Sequence, residues 1–234
     1  SRALFPVGEL TKPEVREIAR AHNLITADKK DSQGLCFIGK VRLPEFLQQK
    51  LSPKKGEVLE IPSDAMVYRD HPQQMPAHDL QADQLRALAR PFHYASADGE
   101  VVGQHNGAHF YTIGQRKGLH IGGTPKPLFV LETDTENNVI FTGQGDDHPG
   151  LFRPGLFIPA QDVHWVRPDM EIGLNESAEY LVRIRYRQPL EKARLYQLEE
   201  GMYIIFYQPQ KAIARGQFAA WYKEDELVGS GVIS

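Results

Sequence analysis

The chain has 234 residues, 41% hydrophobic and 24% charged, a balance that suits one large or two ordinary globular domains and excludes wholesale disorder. Its 27 Lys and Arg against 30 Asp and Glu leave a net charge of −3, which excludes nucleic-acid binding by bulk charge but not by a local basic patch. The single cysteine excludes an internal disulfide and a thiolate zinc site. No apolar run approaches the roughly 20 residues that span a bilayer. The opening Ser1-Arg2-Ala3-Leu4-Phe5-Pro6 lacks the layout of a signal peptide. The expectation is a cytoplasmic protein with no membrane partner and no metal, the histidines being scattered.

The first element is a helix. Thr11 suits its N-cap, Pro13 and Glu14 its first turn, and Asn23 the position after its end. Val15, Ile18, Ala19 and His22 recur between them at helical spacing. Residues 26–39 are polar, hold Gly34 and Gly39, and read as a loop; a short helix over 43–51 follows, stopped by Ser52-Pro53. A strand is expected over 56–61. Residues 62–97 then resemble an insertion, with one helix ending at Arg90-Pro91 whose apolar stripe suits packing. Strands at 128–131 and 139–142 flank Glu136-Asn137-Asn138 as a hairpin. Further strands are expected over 180–188, 193–198, 202–207, 217–223 and 227–233, with Glu199-Glu200-Gly201 as a turn. The fold class is mainly β with short helices (α+β), ending in a small antiparallel β-barrel.

Four features could carry chemistry. Cys36 has Lys29, Lys30 and Lys40 near it in sequence, which favours a reactive thiolate; Leu35, Phe37 and Ile38 equally allow a buried cysteine acting as a small hydrophobe. The run Tyr111-Thr112-Ile113-Gly114-Gln115-Arg116-Lys117-Gly118 combines glycines with adjacent cations, either a phosphate-approaching loop or a tight turn with solvated charges. It lacks the ending of a Walker A loop. In the 180–188 strand, alternation puts Arg183, Arg185 and Arg187 on one face, spaced by roughly 6.6 Å. That face suits a phosphate backbone, with Tyr186 able to stack on a base, or it is a solvated edge. Gln217, after Gly216, could read a base edge or be an ordinary turn residue.

In order, these segments resemble the tRNA-specific 2-thiouridylase family (MnmA/TrmU). The resemblance rests on Leu4-Phe5-Pro6-Val7-Gly8, Lys12-Pro13-x-Val15-Arg16, Lys30-Asp31-Ser32-x-Gly34-x-Cys36-Phe37-Ile38-Gly39 and His105-x-Gly107. It continues through Thr112-x-Gly114-Gln115-Arg116-Lys117-Gly118-Leu119, His164-Trp165-Val166 and Arg185-Tyr186-Arg187-Gln188. The resemblance implies an enzyme that activates the wobble uridine of tRNA with ATP and then transfers sulfur to its C2 from a cysteine persulfide. Cys36 would carry that persulfide. A cysteine desulfurase or sulfur-relay protein would load it. Arg185, Tyr186 and Gln217 would contact tRNA, and Arg183, Arg187, Arg116 and Lys117 would lie toward it.

The family's Ser-Gly-Gly-x-Asp-Ser loop and Asp-x-x-Cys site do not occur in these residues, so the ATP site is expected in an N-terminal domain this chain lacks. Arg215 stands where the family has proline. The implied domains are a catalytic-domain tail over 1–45, a central domain over 46–149 with the insertion near 62–97, and a tRNA-binding barrel over 150–234. The fragment alone is expected to be catalytically incomplete. Two other readings are a stand-alone tRNA-binding module with a structural cysteine, and a sulfur-carrier protein.

Overall fold

A computed structural model describes residues 6–29, 52–69, 71, 80–186 and 188–234, which divide into two compact units, Ser1–Ser52 and Pro53–Ser234. The expected Cys36 loop and the helix over 43–51 lie outside the described residues.

In the first unit, α1 (Lys12–Ala21) starts and stops where the sequence says it should. The backbone N–H and hydroxyl of Thr11 both donate to the Glu14 carboxylate, at 2.6 Å each. Those bonds hold the Glu14 carboxyl below its usual range. At the other end Asn23 takes φ 52°, its N–H donates to the Arg20 carbonyl, and Leu24 N–H reaches back to the Ala19 carbonyl. This is the double bond pattern that ends helices at a left-handed residue.

The second unit holds two sheets. Strands β1 (Gly56–Glu60), β2 (Glu100–His105), β3 (Leu128–Asp134) and β4 (Val139–Gln144) form the first, in the order β2-β1-β4-β3. The β3–β4 hairpin turns on Asp134, whose Oδ1 accepts the N–H groups of Glu136 and Asn137, and on Asn138 at φ 60°. β1 inserts beside β4 in parallel and leaves it antiparallel to β2.

Strands β5 (Phe152–Pro159), β6 (Val163–Trp165), β7 (Ser177–Arg183), β8 (Glu191–Leu198), β9 (Gly201–Lys211), β10 (Phe218–Lys223) and β11 (Glu226–Val232) form the second sheet. Their order is β5-β9-β8-β7-β10-β11-β6. The two outermost positions, β5 and β6, are consecutive pieces of chain separated only by the turn Ala160–Asp162. The sheet therefore curls into a barrel, and Ser234 N–H donates to the Phe157 carbonyl across the join. Its core includes Leu156, Val182, Leu195, Ile204, Phe206 and Trp221. Gly229 faces Trp221 so closely that a Cβ there would lie 2.6 Å from the indole.

The stretch 62–97, expected to be an insertion, contributes to the core where it is described. Tyr68, Phe92 and Tyr94 pack with Leu59, Phe141 and Leu151, and helix α2 (Ala82–Ala89) buries Leu85 and Leu88 against Tyr203 and Ile205 of β9. The helix packs by the apolar stripe its sequence shows, whereas Tyr68, Phe92 and Tyr94, spread among prolines, gave no periodic signal of their core role.

Candidate nucleic-acid interface

The expected strand over 180–188 stops early. β7 ends at Arg183, and the chain leaves the sheet at Ile184. Side-chain competition for the backbone is the cause. The Gln188 Oε1 accepts the Ile184 N–H at 3.2 Å, and Gln188 N–H donates to the Arg185 carbonyl at 3.1 Å. Gln188 Nε2 then donates to Gln210 Oε1 of β9 at 2.6 Å, which ties the turn to the barrel wall. The single face of three arginines is thereby corrected to a strand end and a turn. Arg187 lies outside the described residues.

Arg183 and Arg185 have different surroundings. The Arg183 guanidinium lies over the Tyr222 ring, 5.1 Å from its centroid, and donates to the Tyr186 carbonyl at 3.3 Å. Arg185 donates through Nη2 to the Ala212 carbonyl at 2.8 Å. Both cations brace the turn, and Tyr186 stands at its tip, 87% exposed. An exposed tyrosine on a braced turn is a stacking surface with little ordering entropy left to lose.

The Gly114 loop is ordered by Gln115. That side chain accepts the Thr112 N–H at 3.1 Å and donates to the Lys117 carbonyl at 2.8 Å, and Gly114 N–H donates to the Val130 carbonyl of β3. Arg116 and Lys117 are left exposed at its crest. Gly114 sits at φ 81°, and a Cβ there would lie 2.6 Å from the Ala212 Cβ and 3.8 Å from Arg185 Nη2. Gly114 therefore abuts Ala212, the residue whose carbonyl Arg185 holds.

Ala212 opens the third segment. The chain between β9 and β10 carries Arg215 and Gly216, both exposed, and then Gln217. Its backbone is tied to the C-terminus, since Gly216 N–H donates to the Ile233 carbonyl and Ile233 N–H to the Gln217 carbonyl. The Gln217 Oε1 is buried without a hydrogen-bond partner. Three sequence segments thus meet around Ala212; they carry exposed Arg116, Lys117, Arg185, Tyr186 and Arg215, and the half-buried Gln217. Sequence reasoning picked out all of these except Arg215 as candidate contacts. It missed Ala212, Gln188, Gln210 and Tyr222, which arrange them. Only Gln188, one residue beyond the Arg-Tyr-Arg run, carried a signal, as a side chain able to cap a turn.

Cys36 lies outside the described residues. Among the described residues no group of three or more His, Cys, Asp or Glu could hold a metal ion, and no helix is long and apolar enough to cross a membrane.

Comparison with known proteins follows the same segments. Residues 1–40 match the tRNA methyl transferase HUP domain, 88–144 the tRNA methyl transferase PRC-barrel domain, and 157–233 the aminomethyltransferase beta-barrel domain. All 234 residues align with the tRNA-specific 2-thiouridylase MnmA of Christiangramia forsetii at 58% identity and with that of Flavobacterium johnsoniae at 55%. The chain belongs to the MnmA family. It spans 58% of the length of each of those two relatives. The MnmA of Chlamydia trachomatis aligns over the whole chain at 38% identity. In MnmA terms, the HUP match takes in Cys36, the PRC-barrel match takes in Arg116 and Lys117, and the beta-barrel match takes in Arg185, Tyr186 and Gln217.

Proposed function

We propose that this chain is the tRNA-gripping and sulfur-accepting part of a tRNA 2-thiouridylase. The observation that carries this reading is the meeting of the Gly114, Arg185 and Gly216 segments around Ala212. That meeting supports the reading, because exposed Arg116, Lys117, Arg185 and Tyr186 lie on segments that adjoin Ala212. On this reading Arg116, Lys117, Arg185 and Arg187 engage phosphates, Tyr186 stacks, and Gln217 contacts tRNA from the turn after Gly216. Arg183 acts one step back, holding the turn that presents Tyr186.

Cys36 accepts sulfane sulfur from a cysteine desulfurase or relay protein, its thiolate attacking the donor's persulfide and releasing the donor's thiolate. The terminal sulfur then bonds to C2 of a wobble uridine that ATP has activated, and AMP leaves; the thiolate of a second cysteine, from the Asp-x-x-Cys site not found in these residues, attacks Cys36 Sγ, which breaks the S–S bond, leaves the outer sulfur on C2 and forms a disulfide with Cys36. ATP supplies only that leaving group, and its site belongs to motifs not found in these residues. The chain alone therefore takes up sulfur and holds tRNA in the cytoplasm without completing thiolation.

Loading is tested by incubating the chain with a desulfurase and radiolabelled cysteine. Wild type is expected to retain reductant-sensitive label and Cys36→Ser to retain none. Equal label on both proteins, or on neither, would rule out the acceptor role and leave a tRNA-binding module. Filter binding with tRNA tests the grip, with Arg185→Ala and Tyr186→Ala expected to weaken it.

A further inference from the structure

Behind the proposed interface lies a cavity of about 360 Å³. That volume is at the small end of the roughly 300–1,000 Å³ typical of ligand sites. Ala212, Ile213 and Ala214 form one side of it. Arg153 of β5, only 6% exposed, also lines it. This guanidinium donates to two carbonyls, Ala89 at 3.3 Å through Nη1 and Ile213 at 3.2 Å through Nη2. Among the described residues no carboxylate pairs with it. Five N–H donors in a planar fork, two of them on long bonds to neutral acceptors, leave the charge uncompensated and part of the fork unused. Burial pushes its pKa down to about 10, so it remains a cation near neutral pH. Arg215 stands exposed among the residues lining the same cavity.

The opposite chemistry is also present. Glu132 lines the cavity, its Oε1 against His93 Nδ1 at 2.9 Å and its Oε2 accepting the Tyr94 N–H at 3.0 Å. Each oxygen keeps a further acceptor site. The Glu132 oxygens go to His93 and Tyr94, and among the described residues no ion pair joins Glu132 to Arg153. Phe92, Tyr111 and Leu131 supply apolar surface around the same space. The cavity therefore combines a cationic wall, an acceptor wall and aromatic surface. Inorganic phosphate alone would meet Glu132 unfavourably, and a neutral nucleoside would leave Arg153 without a counter-charge.

We propose that this cavity binds a nucleoside monophosphate unit. The phosphate meets Arg153 and Arg215, and a hydroxyl or amino donor of the nucleoside meets Glu132. The chemistry is shared by a free mononucleotide and by one nucleotide of a bound RNA. The inference does not depend on the assignment of the tRNA surface.

The test is calorimetric titration of the 234-residue chain with UMP and AMP, beside uridine, adenosine and inorganic phosphate. The nucleotides are expected to bind at least about tenfold more tightly than either part. Arg215→Ala is expected to weaken them by about tenfold or more, the range for a hydrogen bond to a charged group. Glu132→Gln is expected to weaken the nucleotides while leaving phosphate as tight as before or tighter. Arg215 is exposed and Glu132→Gln keeps shape, so both variants should melt like wild type; Arg153→Lys serves as a third where its melting is unchanged. Nucleotides that bind no better than phosphate, or that bind both variants as they bind wild type, would overturn the proposal. Adding tRNA separates the sources: displacement of bound UMP identifies a nucleotide of the RNA as the occupant, and simultaneous binding identifies a free one. Loss of tRNA binding in Arg185→Ala is read separately and bears only on the surface.

Discussion

Ala212 holds a left-handed backbone conformation at φ 58°, a region that costs a non-glycine residue of order 1–3 kcal/mol. Its neighbours maintain it: its N–H donates to the Leu151 carbonyl, its carbonyl accepts Arg185, and its methyl meets Gly114. Gly114 is left-handed too, at φ 81°, and it has no room for a side chain. Gly114→Ala adds no charge and removes none, yet it forces the loop and Ala212 apart. The variant is expected to lose about 1–3 kcal/mol of stability and to bind tRNA more weakly. Denaturant melts and filter binding check both. Wild-type behaviour in both would mean that the packing of Gly114 on Ala212 does not organise the surface. The glycine was legible in the sequence as part of a motif. Its partner was not, because nothing in Lys211-Ala212-Ile213-Ala214 marks an alanine as left-handed.

At the scale of elements, two buried histidines pin strand ends in the same way. His105 accepts the Gly107 N–H through Nδ1, and its Nε2 lies 3.2 Å from the Asn138 carbonyl. His148 accepts the Gly150 N–H through Nδ1, and its Nε2 lies 3.1 Å from the Ile61 carbonyl. Both rings are thereby fixed as neutral imidazoles with the proton on Nε2. Burial holds both pKa values below the ordinary histidine range, and a proton on Nδ1 would break the glycine bond. Because the folded values lie below the unfolded value of about 6.5, the unfolded chain binds the extra protons first as pH falls. Stability is therefore complete above about pH 6.5 and declines below it, by up to about 1.4 kcal/mol per pH unit for each histidine. Denaturant midpoints are expected to fall between about pH 7 and pH 5.5, above the carboxylate range, and the fall should be shallower in His148→Gln. A flat profile over that interval would contradict the assigned tautomers.

Elements governed by local rules were legible in sequence. The α1 caps and the β3–β4 hairpin follow from residue types within a few positions of each other. The 180–188 segment was misread because alternation was followed past the point where a glutamine side chain replaces the ladder. The core role of Phe92 and Tyr94 was hidden because they fill a layer set by distant strands.

Over the whole molecule, the net charge of −3 and the cationic surface make one prediction together. Affinity for tRNA should come from few phosphate interactions, so the salt slope should be modest and should respond to single residues. Removing one cation that neutralises a phosphate lowers the slope by about 0.7–0.9. Arg185→Ala and Lys117→Ala are each expected to do so, whereas Tyr186→Ala lowers affinity with the slope unchanged. An unchanged slope in both charge variants would remove those residues from the interface. The family and its motifs could be read in order along the chain. The convergence around Ala212 could not, because it depends on how the loop from the four-stranded sheet meets the barrel.

The barrel's join also bears on its synthesis. β6 pairs with β11 in the register Val163↔Gly231, and β5 pairs with β9 from Phe152↔Lys211 to Pro159↔Gly201. The strands made first, β5 and β6, therefore wait for strands made later, and their edges stay unpaired on the nascent chain. Such non-local pairing folds slowly and exposes sticky edges in the meantime. A ribosome that stalls before residue 226 would leave β6 without its neighbour, so incomplete chains should be favoured chaperone and protease substrates while finished ones are not.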